Sequence, residues 1–177
     1  VSEGLPSDSG LTMPRSDHEA VNELMGMVGL LDLVIPRGGE SLIRAVAEHS
    51  KIPVLKHYRG NCHVYVDADA DLAMAEVIVY NAKVQRPSVC NAAETLLVHQ
   101  SVANELLPRL AKRMSNVELR GDVASRQILP TIGAATEDDW YEEYLDLIMA
   151  VKVVSGLGEA IEHINHYSSA HSDTIVT

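Results

Sequence analysis

Apolar residues along the chain change their spacing repeatedly, and each change marks an element. The opening stretch to about Ser16 is rich in Ser, Gly, Pro and Asp and reads as a loop. From His18 to Met27 the apolar Val21, Leu24 and Met25 recur at helical spacing, which predicts an amphipathic helix. Residues 30–35, Leu-Leu-Asp-Leu-Val-Ile, form a short, mostly apolar run that stops at Pro36, the pattern of a buried parallel strand. Arg37, Gly38 and Gly39 then turn into a helix reaching Glu48, with Leu42, Ile43, Val46 and Ala47 on one face, and residues 52–55 read as the next strand. Strand, glycine turn, helix, strand is a βαβ unit.

A second cycle opens with the strand 63–66. The acids of Asp67-Ala-Asp-Ala-Asp71 are placed to cap a helix running from Leu72 to about Lys83. Residues 84–91 break the period, with Pro87 barring helix continuation, so a loop is expected there. Strands are predicted over 94–99, 116–120, 152–154 and 173–176, and helices over 101–114, 123–128 and 157–165; the signal between Gly121 and Asp139 is otherwise weak. This alternation predicts an α/β fold with a largely parallel sheet and flanking helices.

Composition narrows the picture. The 177 residues are 46% apolar and 22% charged, a globular balance for one domain or little more. Phe is absent and the aromatics are six Tyr and Trp140, so an aliphatic core is expected. A net charge of −11 repels phosphate backbones and argues against general nucleic-acid or anionic-membrane binding. No apolar run approaches a membrane span and the first residues carry no leader pattern, so a soluble protein is expected. The start at Val1 fits a fragment or processed product. Cys62 and Cys90 are too few for a disulfide framework, which points to a reducing compartment.

Cys90 is the foremost chemical candidate: a thiol in an irregular loop between helix and strand can meet a substrate, with Arg86 near in sequence to stabilise a thiolate. A buried structural role is the alternative, and packing is the reading for Cys62, beside an apolar strand. His57, Cys62, His63, Cys90 and His99 include metal-ligand types but lack ligand spacing, so no metal site is expected. Pro36-Arg-Gly-Gly39 sits where glycines and a helix N-terminus can receive phosphate, or where an ordinary tight turn would stand. In Trp140-Tyr-Glu-Glu-Tyr-Leu-Asp146, Glu142 or Glu143 suits a sugar hydroxyl, against the alternative of solvated acids.

Several segments together carry a resemblance along almost the whole chain. Asp32-Leu-Val-Ile-Pro-Arg-Gly-Gly39, Ile52-Pro-Val-Leu-Lys-His57, Cys62-His-Val-Tyr-Val-Asp67, Asn81-Ala-Lys-Val-Gln-Arg-Pro-Ser-Val-Cys-Asn-Ala92, Glu94-Thr-Leu-Leu-Val-His99 and His171-Ser-Asp173 resemble the γ-glutamyl phosphate reductases of the aldehyde dehydrogenase superfamily. The resemblance implies NADPH-dependent reduction of L-glutamyl 5-phosphate to glutamate 5-semialdehyde through a cysteine thioester, in proline biosynthesis. It makes Cys90 the nucleophile, with its backbone N–H and Asn91 at the oxyanion. Arg37, Gly38, Gly39 and Ser41 fall where a helix N-terminus faces the cofactor phosphates, and Glu143 where an acid binds the nicotinamide ribose.

The superfamily's general-base Glu is absent from Lys56-His-Tyr-Arg-Gly-Asn-Cys62, as suits a reductase with a phosphate leaving group. Val84 stands where Thr is more usual. The resemblance also implies that residues 1–57 are the C-terminal part of a dinucleotide-binding domain. Residues 58–177 would be most of a catalytic domain, lacking its C-terminal strands. The isolated piece is expected to be inactive, and the full-length enzyme to be a cytoplasmic homo-oligomer. Two other readings stand: the reductase part of a bifunctional pyrroline-5-carboxylate synthase, and a non-catalytic fragment acting as an assembly unit.

Overall fold

The structure is a computed structural model describing residues 4, 9–15 and 17–177, and the expected opening loop lies partly outside them. Two compact units divide the chain, one ending at Tyr58 and one running from Arg59 to Thr177. In the first, helix α1 (His18–Met25) begins at Asp17, whose carboxylate accepts the Ala20 N–H at 2.9 Å. Helix α2 (Glu40–His49) follows the Gly38-Gly39 turn as expected, burying Ile43 and Val46.

The expected strands 30–35 and 52–55 are a correction: a single parallel bridge, Val34 with Val54, joins the two segments, and Leu31 makes one more isolated bridge, to Val28. The Val34 N–H donates to the Pro53 carbonyl and the Leu55 N–H to the Val34 carbonyl, each at 2.9 Å. Pro53 has no N–H to extend a ladder, and Leu30, Leu33, Ile35 and Leu55 are all at least half exposed rather than buried on two faces.

The second unit is built on a parallel sheet. Its strands are β1 (Cys62–Val66), β2 (Ala93–His99), β3 (Glu118–Gly121), β4 (Gly133–Ala134), β5 (Ile148–Val154) and β6 (Thr174–Val176). They lie in the order β4-β3-β5-β2-β1-β6, and every pairing is parallel. Parallel neighbours need crossovers, and helices supply them: α3 (Leu72–Val84), α4 (Gln100–Arg113), α5 (Val123–Ile128) and α6 (Leu157–Tyr167). Asp71 caps α3 by accepting from the Ala73 and Met74 N–H groups. The strand expected over 152–154 begins earlier, at Ile148, and β4 and a short 3-10 turn, Asp138–Trp140, fill the stretch of weak signal.

Alternation along the strands divides the core. Val64, Val66, Leu96, Val98, Met149 and Val151 face one side, where they join Ala75 and Val79 of α3 and Leu106, Leu107 and Leu110 of α4. Tyr65, Leu97 and Val154 face the other, against Ala160 of α6. Each such buried large side chain contributes about 1.5–3 kcal/mol. The main cluster is aliphatic as expected, whereas Tyr65 is fully buried in the smaller one with its hydroxyl on Asp67 at 2.6 Å. Between β1 and β2 the register slips: Cys62 pairs with Ala93 but His63 with Thr95, so Glu94 is an extra, bulged residue.

Candidate active site

Because the strands are parallel, the segments preceding β1, β2, β5 and β6 emerge along one edge of the sheet, the amino edge. Those segments hold Gly60, Cys90 with Asn91, Glu143, and His171 respectively. Cys90 is exposed, on a turn closed by the Val89 N–H donating to the Arg86 carbonyl at 3.4 Å and the Ala92 N–H to the Val89 carbonyl at 3.0 Å. Among the described residues the Cys90 and Asn91 N–H groups take no acceptor, so both can serve an oxyanion near the thiol. Arg86 contributes its carbonyl to this turn, and its side chain makes no described contact with Cys90.

The back of the Cys90 turn is held by the residues just ahead of β1. Gly60 lies so close that a Cβ there would stand 1.8 Å from the Cys90 carbonyl oxygen, a space only glycine leaves open. Cys62 donates its thiol to the same carbonyl at 3.3 Å and approaches Nδ1 of His171 at 3.9 Å. Burial pushes the Cys62 thiol up to about 11, the Ser172 N–H offsetting part of the rise, so it stays protonated at neutral pH. The packing expected for Cys62 is therefore real, but it also supports the loop of the other cysteine.

Glu143 joins this group through its Oε1, which accepts the Gly60 N–H at 2.8 Å and leaves Oε2 without a partner among the described residues. Buried Asn61 ties the neighbourhood together, its Nδ2 donating to the Trp140 carbonyl at 2.7 Å and to the Tyr167 carbonyl at 3.0 Å. Asp173 accepts the His63 N–H at 3.0 Å and the Ser168 hydroxyl at 2.7 Å, which fixes the turn carrying His171. Leu145 and Ala170, in two of these segments, hold left-handed backbone at φ 53° and 57°. Such strain persists where surrounding contacts over-determine it.

Cys90, Asn91 and Glu143 thus share one edge of the second unit. Arg37, Gly38, Gly39 and Ser41 are exposed at the start of α2 in the first unit, where Gly39 offers no side-chain cap to the first-turn N–H groups. Glu142 lines a separate open depression with Arg120, Asp138 and Asp139. In that depression the Asp139 carboxyl is held well below the usual range: burial alone would raise it, but hydrogen bonds from Thr136, Arg120 and Tyr144 outweigh that. Sequence reasoning missed Gly60 and Asn61. The only local sign was a glycine two residues ahead of a strand.

Comparison with known proteins follows the same lines. Residues 2–162 match the aldehyde dehydrogenase family. The gamma-glutamyl phosphate reductase of Geobacter metallireducens is 57% identical over 176 residues, 98% of this chain and 42% of that protein. The same-named protein of Thermodesulfovibrio yellowstonii is 57% identical over 92% of this chain and 39% of its own. The crystal structure of the Thermotoga maritima gamma-glutamyl phosphate reductase superposes with a TM-score of 0.85 at 48% identity, over 93% of this chain and 40% of that one. An acetylating aldehyde dehydrogenase from Geobacillus thermoglucosidasius, 20% identical with a TM-score of 0.67, shares the fold. The chain spans about two-fifths of the length of the reductases it matches.

Proposed function

Since the chain belongs to the aldehyde dehydrogenase family, we propose that it forms part of a γ-glutamyl phosphate reductase, the NADPH-dependent enzyme that converts L-glutamyl 5-phosphate to L-glutamate 5-semialdehyde and phosphate in proline biosynthesis. The observation that carries this reading is the mounting of Cys90: an exposed thiol on a turn whose carbonyl is locked from behind by Gly60 and Cys62. A nucleophile is useful when its backbone is held in place, and the Gly60 and Cys62 contacts hold this one from behind.

In the proposed reaction the Cys90 thiolate attacks the δ-carbonyl carbon of the acyl phosphate. The carbon–oxygen bond to phosphate breaks and a thioester remains on Cys90. When bound, NADPH supplies the hydride that reduces this thioester. The resulting thiohemiacetal collapses by breaking the carbon–sulfur bond, releasing the aldehyde and restoring the thiolate. At both tetrahedral stages the negative oxygen is received by the Cys90 N–H, with Asn91 beside it. Glu143, its Oε1 anchored on Gly60, presents Oε2 to a ribose hydroxyl.

The residues fit a dinucleotide. Gly38 and Gly39 are exposed ahead of α2, Gly39 caps it without a side chain, and a Cβ on Gly39 would meet nothing within 4 Å, so a phosphate can approach the backbone. Arg37 and Ser41 flank that approach. We assign residues 1–57 to the end of the cofactor domain and 58–177 to the catalytic domain on the same reasoning. The full enzyme is read as a cytoplasmic homo-oligomer; no described helix is long and apolar enough to cross a membrane.

The test is the reverse reaction in the intact polypeptide, phosphate-dependent formation of NADPH from NADP and glutamate 5-semialdehyde. Cys90→Ala should abolish it, Cys90→Ser should leave a trace, and a Cys90→Ala protein with ordinary turnover would overturn the proposal.

A further inference from the structure

The loop bearing Cys90 begins just after Lys83 and ends just before Glu94, and these two residues meet. Lys83 Nζ donates to Glu94 Oε2 at 2.6 Å, and both side chains are 0% exposed. Neither belongs there by the ordinary pattern. Lys83 continues the buried α3 stripe of Ala75 and Val79, where an apolar residue is expected, and Glu94 is the bulged residue of β2. Bulges beside active sites re-aim a side chain, and this one accompanies a carboxylate turned toward α3. A buried ion pair is a weak source of net stability, because desolvation offsets the attraction. Burial pushes the Lys83 ammonium down and the Glu94 carboxyl up, and each is the other's main counterweight, with the Leu145 N–H adding to Glu94 and Asp146 to Lys83. Glu94 Oε1 has no hydrogen-bond partner, so the bond from Lys83 is the one side-chain contact that fixes the carboxylate.

We propose that Lys83 and Glu94 are positioning residues for the nucleophile, a buried clasp that joins the two ends of the Cys90 loop and sets the height of the thiol above the sheet. The clasp works through the backbone: Glu94 fixes the start of β2, Lys83 the end of α3, and the turn between them inherits its place. This inference rests on the reading of Cys90 as nucleophile.

The experiment is alkylation of Cys90 by iodoacetamide in the intact polypeptide, followed by mass spectrometry, with protection of Cys62 reporting the fold and glutathione as the reference thiol. In Glu94→Gln and Lys83→Met, the Cys90 rate at neutral pH and kcat are expected to fall about tenfold or more with Cys62 still protected and KM little changed, as displacement of a reacting group requires. In the double variant Lys83→Met/Glu94→Met, apolar volume replaces both charges, and thermal stability should return while the Cys90 rate stays low. An unchanged Cys90 rate in a folded single variant overturns the proposal. So does a double variant that regains both stability and rate, since filled volume would then suffice. A wild-type Cys90 no faster than glutathione marks instead the failure of the nucleophile reading, and the clasp falls with it.

Discussion

Gly60 and Cys90 touch through their backbones: the Gly60 Cα leaves no room for a Cβ against the Cys90 carbonyl, the nearest atoms lying at 1.8, 2.6 and 2.9 Å from where it would stand. All three are main-chain atoms, so no side chain can swing aside to make space.

The substitution Gly60→Ala therefore must move the Cys90 turn or the start of β1. The expected cost is about 1–3 kcal/mol of stability from overpacking, and a displacement of about 1 Å at the thiol is worth about a hundredfold in turnover. Thermal unfolding together with kcat for Gly60→Ala checks both, and near-native turnover would show that the turn is not held from behind as described.

The two cysteines should differ sharply toward electrophiles. Cys62 is 2% exposed with its thiol pushed up to about 11, whereas Cys90 is exposed. At pH 8, iodoacetamide should label Cys90 and spare Cys62, while urea-unfolded protein should be labelled at both. Cys62→Ala removes the weaker of the two contacts behind the Cys90 carbonyl, an S–H donor, and leaves the Gly60 packing in place, so turnover should stay within about threefold of wild type; a larger loss would make Cys62 the main support of the turn.

Acid weakens the fold through His163. This side chain is buried on α6, and burial first, then the neighbouring His63, lower it from 6.5 to about 3. The unfolded chain binds a proton below about 6.5 while the folded chain refuses it until about 3, so stability falls as pH drops through that window and is level above it. One such group sets a ceiling of about 1.4 kcal/mol per pH unit. Glu94, pushed up to about 7 by burial, acts in the opposite sense over much of the same range, so the reading is a difference: from pH 7.5 to pH 5, urea unfolding should show wild type losing more stability than His163→Phe, and identical slopes would place the proton elsewhere.

Asp139 is the hub of a second network. It accepts from Thr136 N–H, the Thr136 hydroxyl, Arg120 and the Tyr144 hydroxyl, each at 2.7 Å. Asp139→Asn keeps the volume but removes the charge, and should cost about 1.5–3 kcal/mol. A loss of activity larger than the stability change explains would mean that Tyr144, between Lys83 and Arg120, transmits the effect to the loop.

How far the sequence could be read depended on whether each segment carries its own reason for its shape. Helix α3 has Asp71 to start it and a buried stripe that stays apolar as far as Val79, and β2 has a run of β-formers, so both were legible. β4 is two residues long and exists because Arg120 and Gly121 pair with it, information absent from Gly133 and Ala134 themselves. Residues 30–35 look like a strand by composition, yet a strand needs partners, and only isolated bridges at Leu31 and Val34 form. Cys90 stood out because Pro87 and the broken period announce a loop. The residues that hold its turn from behind, Gly60 and Cys62, are ordinary in their local context and acquire meaning only when the sheet brings distant segments to one edge.

The parallel sheet also gives the second unit a polarity. Each of β1, β2 and β5 starts at the chemical edge and runs away from it, so the turns beyond Val66, His99 and Val154 lie a strand's length off, roughly 20 Å for the seven residues of β2. A fluorophore at exposed Asp69 would thus ride on the far edge of this unit. The second unit could be tethered or tagged from that edge while the exposed Cys90 thiol lies at the other.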